Sequence, residues 1–535
     1  MAMPSTGYVQ ELEGDSAPES RLDRLARALT SPQAAALALA LAVAVALLAP
    51  LGPLAANRFH RDEAIYSSWG LDIASGRDLL VSGSPVDKPP LFLYVQALSF
   101  VLFGPTEVAA RLPSLVASLA SVGLVYALGR SLYGQGAGLL AAGLLAASPY
   151  AILFAPTAFT DPLMVAWVLA GCLAAARGRW AWAGIGLGLA AMTKQQGIFF
   201  VPLAIGLGQI SNVNRQTSTI KSQILSFGIA WLAMLGLALG WDVARARQPG
   251  FWMQSLTSYG GLPLDSAAIW QRVVGFWDLL GYGTGSPVLN GILLAGLPVL
   301  LVVDVLSLSG REKGRSAARA DVILLAFGLA FLAGHCVVAF QVWDRYLLGM
   351  IPLLALLLAR VLLLPWRLVT ANDGPASPGN LMAKRWSPER LRLLYLLFVM
   401  SILSFTLRPI QDAAASRFPI GGDHGAYQGI EQVVAYLRTV PANTTLYHRW
   451  LGWHWRFYLW GSPYDFRAWT SPADLAAQAA ARPGARRYIV FPSWASSSEA
   501  RLALSGAGLA LREVQRAFRE DGSVSFVVYR IEEVP

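Results

Sequence analysis

A polytopic α-helical membrane protein carrying a small C-terminal α/β domain is the architecture this sequence predicts, on three observations. Hydrophobic residues make up 55% of the 535 and charged residues only 14%, too few charges for the surface of a soluble chain of this length. The apolar residues gather into runs of about 20, the length that crosses a hydrocarbon core. Beyond Pro409 those runs shorten, charge rises and Gly421-Gly422-Asp423 marks a loop, as expected where a chain leaves the bilayer and builds a separate domain.

Taken in order, residues 1–33 are polar, and too long and too acidic for the positive region of a cleavable signal. They read as a cytoplasmic N-terminal segment, with the Ala/Leu/Val run at 34–56 retained as the first span. The polar stretch 57–88 follows. Pro89 to Phe103 is apolar, but its roughly 15 residues fall short of a full crossing, so a helix lying at the interface or re-entering the fold is expected. Further spans are placed at 108–130, 135–154, 161–176, 180–193, 195–210, 224–243, 288–308, 321–341, 345–364 and 392–409, about eleven in all. This division puts Arg21, Arg24, Arg27, Arg130, Arg177, Arg179, Arg215, Lys221, Arg311, Lys313, Arg315, Arg319, Arg367, Lys384, Arg385, Arg390 and Arg392 on one side. Basic loops mark the cytoplasm. Residues 34–410 then form a transmembrane domain, and its first outer loop, 57–107, lies on the extracytoplasmic face. The domain 411–535 lies on that face as well. Within it Glu431–Arg438 reads as a helix, Thr444–His448 as a strand, Pro472–Ala481 as a helix capped by Ser471, and Arg487–Phe491 and Ser523–Ile531 as strands.

The formal net charge of +10 follows from those loops, and no basic stripe with interleaved aromatics speaks for nucleic acid. Cys172 and Cys336 lie in apolar runs and suit packing, with neither a disulfide framework nor a zinc site.

Charge clusters immediately after the first span, in His60-Arg61-Asp62-Glu63-Ala64-Ile65-Tyr66 and Asp87-Lys88-Pro89-Pro90. On a helix Asp62 and Tyr66 share a face, with Trp69 a turn further on. Asp62 and Glu63 also suit a helix cap. Asp161, before Pro162 at the start of another span, suits a helix start and a functional carboxylate equally. Lys88 is held by the prolines after it, Lys194 separates two apolar stretches, and Arg345 and Tyr346 open a span behind Asp344. Snorkelling explains such cations singly. Three on the face where the orientation rule does not ask for them point together to a bound anionic group such as a phosphate.

In order and spacing, Arg61-Asp62-Glu63-Ala64-Ile65-Tyr66, Asp87-Lys88-Pro89-Pro90-Leu91, Ala110-Arg111-Leu112-Pro113-Ser114, Thr160-Asp161-Pro162, Met192-Thr193-Lys194 and Asp344-Arg345-Tyr346-Leu347-Leu348 resemble the GT-C membrane glycosyltransferases. The branch they look most like contains the protein O-mannosyltransferases and the bacterial lipid A aminoarabinose transferases. The resemblance covers residues 30–410. It implies inverting transfer of a sugar from a polyprenyl-phosphate donor to a lipid, glycan or protein acceptor outside the cytoplasm, in a multi-pass protein of the inner or plasma membrane. It implies Asp62 as base or acceptor-orienting carboxylate and Asp161 as the second catalytic carboxylate. Lys88, Lys194, Arg345 and Tyr346 fall on the donor-phosphate positions, with Glu63, Tyr66 and Asp87 in support. Asp87 stands where the aminoarabinose transferases have Glu, and 244–287 holds no histidine. Their zinc is therefore not carried over, and His60 beside Asp62 suits either a divalent metal or a hydrogen-bonded histidine at the interface.

The aromatics of 248–287, Phe251, Trp252, Tyr259, Trp270, Trp277 and Tyr282, suit either closure over the site or anchoring at the interface. The patch Arg449 to Tyr458 suits either glycan contact or packing against the membrane helices. A polyprenyl-lipid or glycan transporter, or a non-catalytic lipid-binding scaffold, is the alternative class, although the charges gather at one face rather than at the midplane.

Overall fold

The computed structural model describes residues 24, 28, 31–213, 220–259, 263–308, 312–338, 341–370 and 388–534. Arg21, Arg27, Arg215, Arg311, Lys384, Arg385, the Lys313 side chain and most of the segment 1–33 lie outside the described residues.

Seven described helices are long and apolar enough to cross a membrane: Pro32–Ala56, Glu107–Tyr133, Ile220–Ala244, Pro287–Ser307, Gly314–Val337, Asp344–Arg367 and Arg390–Ala414. Shorter apolar helices occupy Gln135–Ala146, Asp161–Ala176, Trp180–Thr193 and Gln195–Ile210. The expected spans fall on these helices, except that 135–154 is broken at Ala147-Ser148 and continues as the short helix Pro149–Phe154; the four shorter helices fall below the ~20 residues of a full crossing. They are held by close backbone approach. A Cβ on Gly186 would lie 2.9 Å from the Gly171 Cα, and one on Gly188 2.4 Å from the Met234 Cβ, so small residues bring these helices together.

The helix Asp344–Arg367 is the centre of the bundle, with 89% of its most apolar window buried. Arg345 stands at one end of it. Arg360 lies 15 residues on, about 22 Å along the axis, where Asp321 meets it at 2.5 Å and Asp304 at 3.6 Å. A cation buried in the bundle needs such carboxylates.

The charged stretch after the first span forms the helix Arg61–Ala74, and its sequence explains its start. His60 Nδ1 accepts from the Asp62 amide at 3.2 Å, and Glu63 Oε2 accepts from the His60 amide at 2.9 Å. This is a capping box with histidine at the cap. The short apolar piece forms the helix Leu91–Phe103, which packs on Arg61–Ala74 and leaves Leu98, Val101, Leu102 and Phe103 exposed.

The C-terminal domain holds a five-stranded sheet of β1 (Thr444–His448), β2 (Asp465–Ala468), β3 (Arg486–Pro492), β4 (Leu509–Phe518) and β5 (Val524–Glu533), in the order β2-β1-β3-β5-β4. β1 runs parallel to β2 and β3, while β5 pairs antiparallel with β3 and β4. The expected helices occur at Ile430–Leu437 and Pro472–Ala480, and Ser471 Oγ accepts from the Asp474 amide at 3.1 Å. The domain docks through Gly452–Tyr458, whose Phe457 ring lies 4.7 Å from that of Phe59 and whose Tyr458 hydroxyl donates to Glu107 at 2.6 Å.

Candidate active site

Asp62 sits in the first turn of Arg61–Ala74 and Arg345 at the start of the central helix, and the two meet at 2.6 Å, Arg345 Nη1 donating to Asp62 Oδ2. Arg345 is braced from behind: its guanidinium lies 4.0 Å from the Trp343 ring centroid and 5.6 Å from that of Phe159. Burial raises the Asp62 carboxyl, but Arg345, with His60 and Lys88, outweighs it and holds the group below the usual carboxylate range.

A cavity of about 340 Å³ opens beside this pair, walled by Arg61, Tyr66, Asp87, Lys88, Tyr259 and Trp343 among others. Lys88 is 2% exposed and donates to Asp87 Oδ2 at 2.8 Å and to the Tyr259 hydroxyl at 2.6 Å. Burial lowers its ammonium pKa, and Tyr259 and Asp87 more than restore it, so the lysine stays charged. The prolines after it start the helix Leu91–Phe103, and Gln195 Nε2 donates to the Asp87 carbonyl at 2.8 Å, so the loop is fixed at both sides. Arg61, Lys88 and Arg345 against Asp62 and Asp87 leave this cavity one net positive charge, three minus two.

Not every candidate converges there. Lys194 Nζ donates to Asp161 Oδ1 at 2.5 Å, both side chains being nearly inaccessible. Neither residue lines the polar cavity, and Lys194 faces a second one of about 310 Å³, lined by Ile198, Phe199, Trp252, Leu256, Tyr259 and Tyr346 among others. That cavity is almost wholly apolar, with one ammonium at its wall. Glu63 takes no part in either cavity. It is fully buried, caps its own helix, and accepts from Arg111 Nε at 3.0 Å and from the Ala158 amide at 2.7 Å. Tyr66 is 3% exposed and packs on Trp69 while lining the polar cavity.

Both residues considered for a metal are otherwise engaged, His60 as the helix cap and Asp62 with Arg345. Among the described residues no group of three or more His, Cys, Asp or Glu side chains is placed to hold an ion.

A third cavity, about 860 Å³, lies on the other side of Asp62 and Arg345, between them and the C-terminal domain. Arg61 and Asp344 stand in the motifs without a role there, yet Arg61 lines the polar cavity, as do Gln254 and Trp453, and Asp344 Oδ2 accepts from the Gly421 amide at 2.7 Å and ties the central helix to the C-terminal domain. Of the aromatics in 248–287, Tyr259 lines both cavities and Trp252 the apolar one, whereas Trp270 and Trp277 line neither.

The sequence profile of the family described as dolichyl-phosphate-mannose-protein mannosyltransferase matches residues 87–241. Two Bacillus subtilis (strain 168) proteins named as candidate mannosyltransferases are similar: YycA, 30% identical over 167 residues, and YkcB, 29% identical over 214. These matches take in 30% and 38% of this chain and span 24% and 29% of the relatives' own lengths. Among solved structures, ArnT from Cupriavidus metallidurans bound to undecaprenyl phosphate superposes with a TM-score of 0.59 at 17% identity, covering 92% of this chain and 97% of that one. The apo oligosaccharyltransferase of Archaeoglobus fulgidus gives 0.54 at 12% identity, covering 93% and 74%. The chain has the GT-C fold of these membrane glycosyltransferases, as the motif resemblance implied.

Proposed function

We propose that this protein transfers a sugar from a polyprenyl-phosphate-linked donor to an acceptor at the extracytoplasmic face of the membrane, by a single inverting displacement. The observation that carries this is the placement of the Asp62–Arg345 pair on the wall shared by the polar cavity and the larger one beyond it. A donor phosphate in the polar cavity meets Lys88 and Arg345, and the single negative charge of a phosphodiester matches the cavity's net charge. The apolar cavity alongside, which shares the Tyr259 wall, takes the first units of the lipid tail. Its Lys194, balanced by Asp161, adds positive potential without touching the phosphate directly. Asp161 is thus a positioning residue for that lysine, and Glu63 one for the helix that presents Asp62.

In the transfer the acceptor hydroxyl attacks the anomeric carbon from the larger cavity, the bond from that carbon to the phosphate oxygen breaks, and polyprenyl phosphate leaves with the electron pair. Lys88 and Arg345 stabilise the charge that gathers on the leaving phosphate. The acceptor proton goes to Asp62. A carboxylate held below its usual pKa by Arg345 is a weak base, and a phosphate that draws the guanidinium toward itself strengthens it. The transmembrane domain 34–410, its loop 57–107 and the extracytoplasmic domain 411–535 divide the work into donor site, catalytic loop and acceptor side.

The relatives bear on the chemistry without fixing it: the matched family's description names a dolichyl-phosphate-mannose donor, and ArnT was crystallised with undecaprenyl phosphate. The test is release of undecaprenyl phosphate from undecaprenyl-phosphate mannose by the purified protein in vesicles carrying total envelope lipids and glycans. Release coupled to a new mannosylated product, lowered about 100-fold or more by Asp62→Asn, supports transfer. Movement of intact donor across the bilayer without release, as a flippase would give, contradicts it.

A further inference from the structure

The donor chemistry leaves the cavity of about 860 Å³ without an occupant, although Asp62 and Arg345 stand on its wall. Its opposite wall is built by the C-terminal domain from Tyr427, Arg449, Trp450 and Trp494. Trp494 follows β3 and keeps 47% of its surface exposed. It is nonetheless fixed, with its ring 5.3 Å from Tyr427 and 6.1 Å from Phe526. Tyr427 in turn stacks at 4.3 Å on His454, whose Nε2 lies 3.0 Å from the Phe59 carbonyl in the catalytic loop. Trp450 is held 5.7 Å from Trp469, and the Arg449 guanidinium lies 5.4 Å from the Trp450 ring. Rigid aromatics exposed in a cavity of this size, interleaved with arginines, are what a ligand pocket of mixed character requires.

That mixture selects among acceptors. A sugar ring has apolar C–H faces that stack on aromatic rings and hydroxyl edges that hydrogen-bond, here to Arg61, Arg449 and His424. A fatty chain is matched instead by the separate apolar cavity. A peptide read by strand addition needs a sheet edge, and no residue of the edge strands β2 or β4 lines this cavity.

We infer that the C-terminal domain is the acceptor-binding module and that the acceptor is a carbohydrate, a glycan chain or a glycolipid headgroup, stacked on Trp494 and Trp450 with a hydroxyl directed at Asp62. The acceptor role rests on the transfer reading above; the sugar site itself does not.

Ligand-observed NMR on the purified full chain in detergent, without donor, tests it with maltohexaose, cellohexaose, chitohexaose and mannohexaose, with diglucosyldiacylglycerol in the same micelles, and with a Ser/Thr-rich peptide. At least one carbohydrate probe is expected to bind, about two- to tenfold more weakly in Trp494→Ala and near the original affinity in Trp494→Phe, which keeps a ring. Binding of a soluble oligosaccharide identifies a glycan chain, and binding of the glycolipid alone a lipid headgroup. Binding of the peptide alone, of no carbohydrate, or of carbohydrate equally by the parent and Trp494→Ala overturns the inference. Undecaprenyl phosphate release, measured on the same protein, separates loss of the sugar site from failure of the transfer reading.

Discussion

The Asp62 carboxylate and the Arg345 guanidinium, 283 positions apart in the chain, meet at 2.6 Å. One belongs to a capped loop helix and the other to the most buried helix of the bundle, so the contact fixes the loop to the membrane domain at the wall shared by the polar cavity and the larger one. Removing the charge while keeping the shape, Asp62→Asn, is expected to lower transfer about 10²- to 10⁴-fold with donor affinity kept or raised, since the phosphate no longer competes with a carboxylate for Arg345. Parallel titration of donor binding and turnover distinguishes this from a donor-binding defect, in which affinity and turnover fall together.

The pair also sets a pH dependence. In the proposed transfer Asp62 acts as the carboxylate; Arg345 holds its pKa in the free protein below the usual range, and activity is therefore expected to fall only as pH drops through that lowered value. Arg345→Gln is expected to move the acid limb of kcat/KM to higher pH. In the parent, the acid limb of kcat, which reports the donor complex, should sit above that of kcat/KM, because the phosphate competes with Asp62 for the guanidinium. Coincident limbs in the two profiles speak against a shared arginine.

Lys88 is buried between Asp87 and Tyr259. Lys88→Met removes its charge, leaves Asp87 without that partner, and is expected to weaken donor binding by about 2–5 kcal/mol, the cost of truncating one partner of a buried charge pair. Tyr259→Phe keeps the wall and loses only the hydroxyl, so about 1 kcal/mol is expected. Donor-lipid titration of the two variants checks the order.

Glu63 and Arg111 are both fully buried, and the arginine also donates to the carbonyls of Asn57 and Arg58. Glu63→Gln removes the closer of two carboxylates from a buried guanidinium and leaves it Glu107 at 3.4 Å, at a cost of up to about 3–5 kcal/mol. A lowered thermal midpoint is expected, and loss of activity only in proportion to loss of folded protein. A variant of unchanged stability and abolished turnover points instead to a direct role for Glu63.

Burial pushes the His454 imidazole down to about 4, against the partial compensation of its bond to the Phe59 carbonyl. The unfolded chain protonates first as pH falls, so stability is fully present above about pH 6.5 and is lost toward pH 4, by on the order of 3 kcal/mol. His454→Gln should flatten the fall in thermal midpoint between pH 7 and 4.5; equal slopes in parent and variant contradict this.

Much of this was legible in the residues because the physics was local. Runs of about 20 apolar residues become helices wherever they occur, and Ser471 before Pro472 or the alternation of Ser523 to Ile531 states its own structure. The strand β4 was not legible, since a bulge between Glu513 and Gln515 breaks the two-residue period that identifies strands. At the site, charge beside a membrane drew attention to Lys88, Lys194 and Arg345 together, but only tertiary placement shows Lys194 spent on Asp161 while Lys88 and Arg345 face one cavity. Glu63 looks like a catalytic neighbour in the chain; its partner Arg111, 48 positions away, makes it a cap and a buried ion pair. Nothing local to Tyr259 tells it from the exposed aromatics Trp270 and Trp277 of the same loop.

The most direct measurement is a cryo-EM structure of the full chain with undecaprenyl phosphate. Phosphate density within about 3 Å of Lys88 Nζ and the Arg345 guanidinium, with the lipid tail entering the cavity of Phe199, Trp252 and Tyr346, is the result expected here. A phosphate seated away from both cations, or a tail running along the Arg360 end of the bundle, contradicts it.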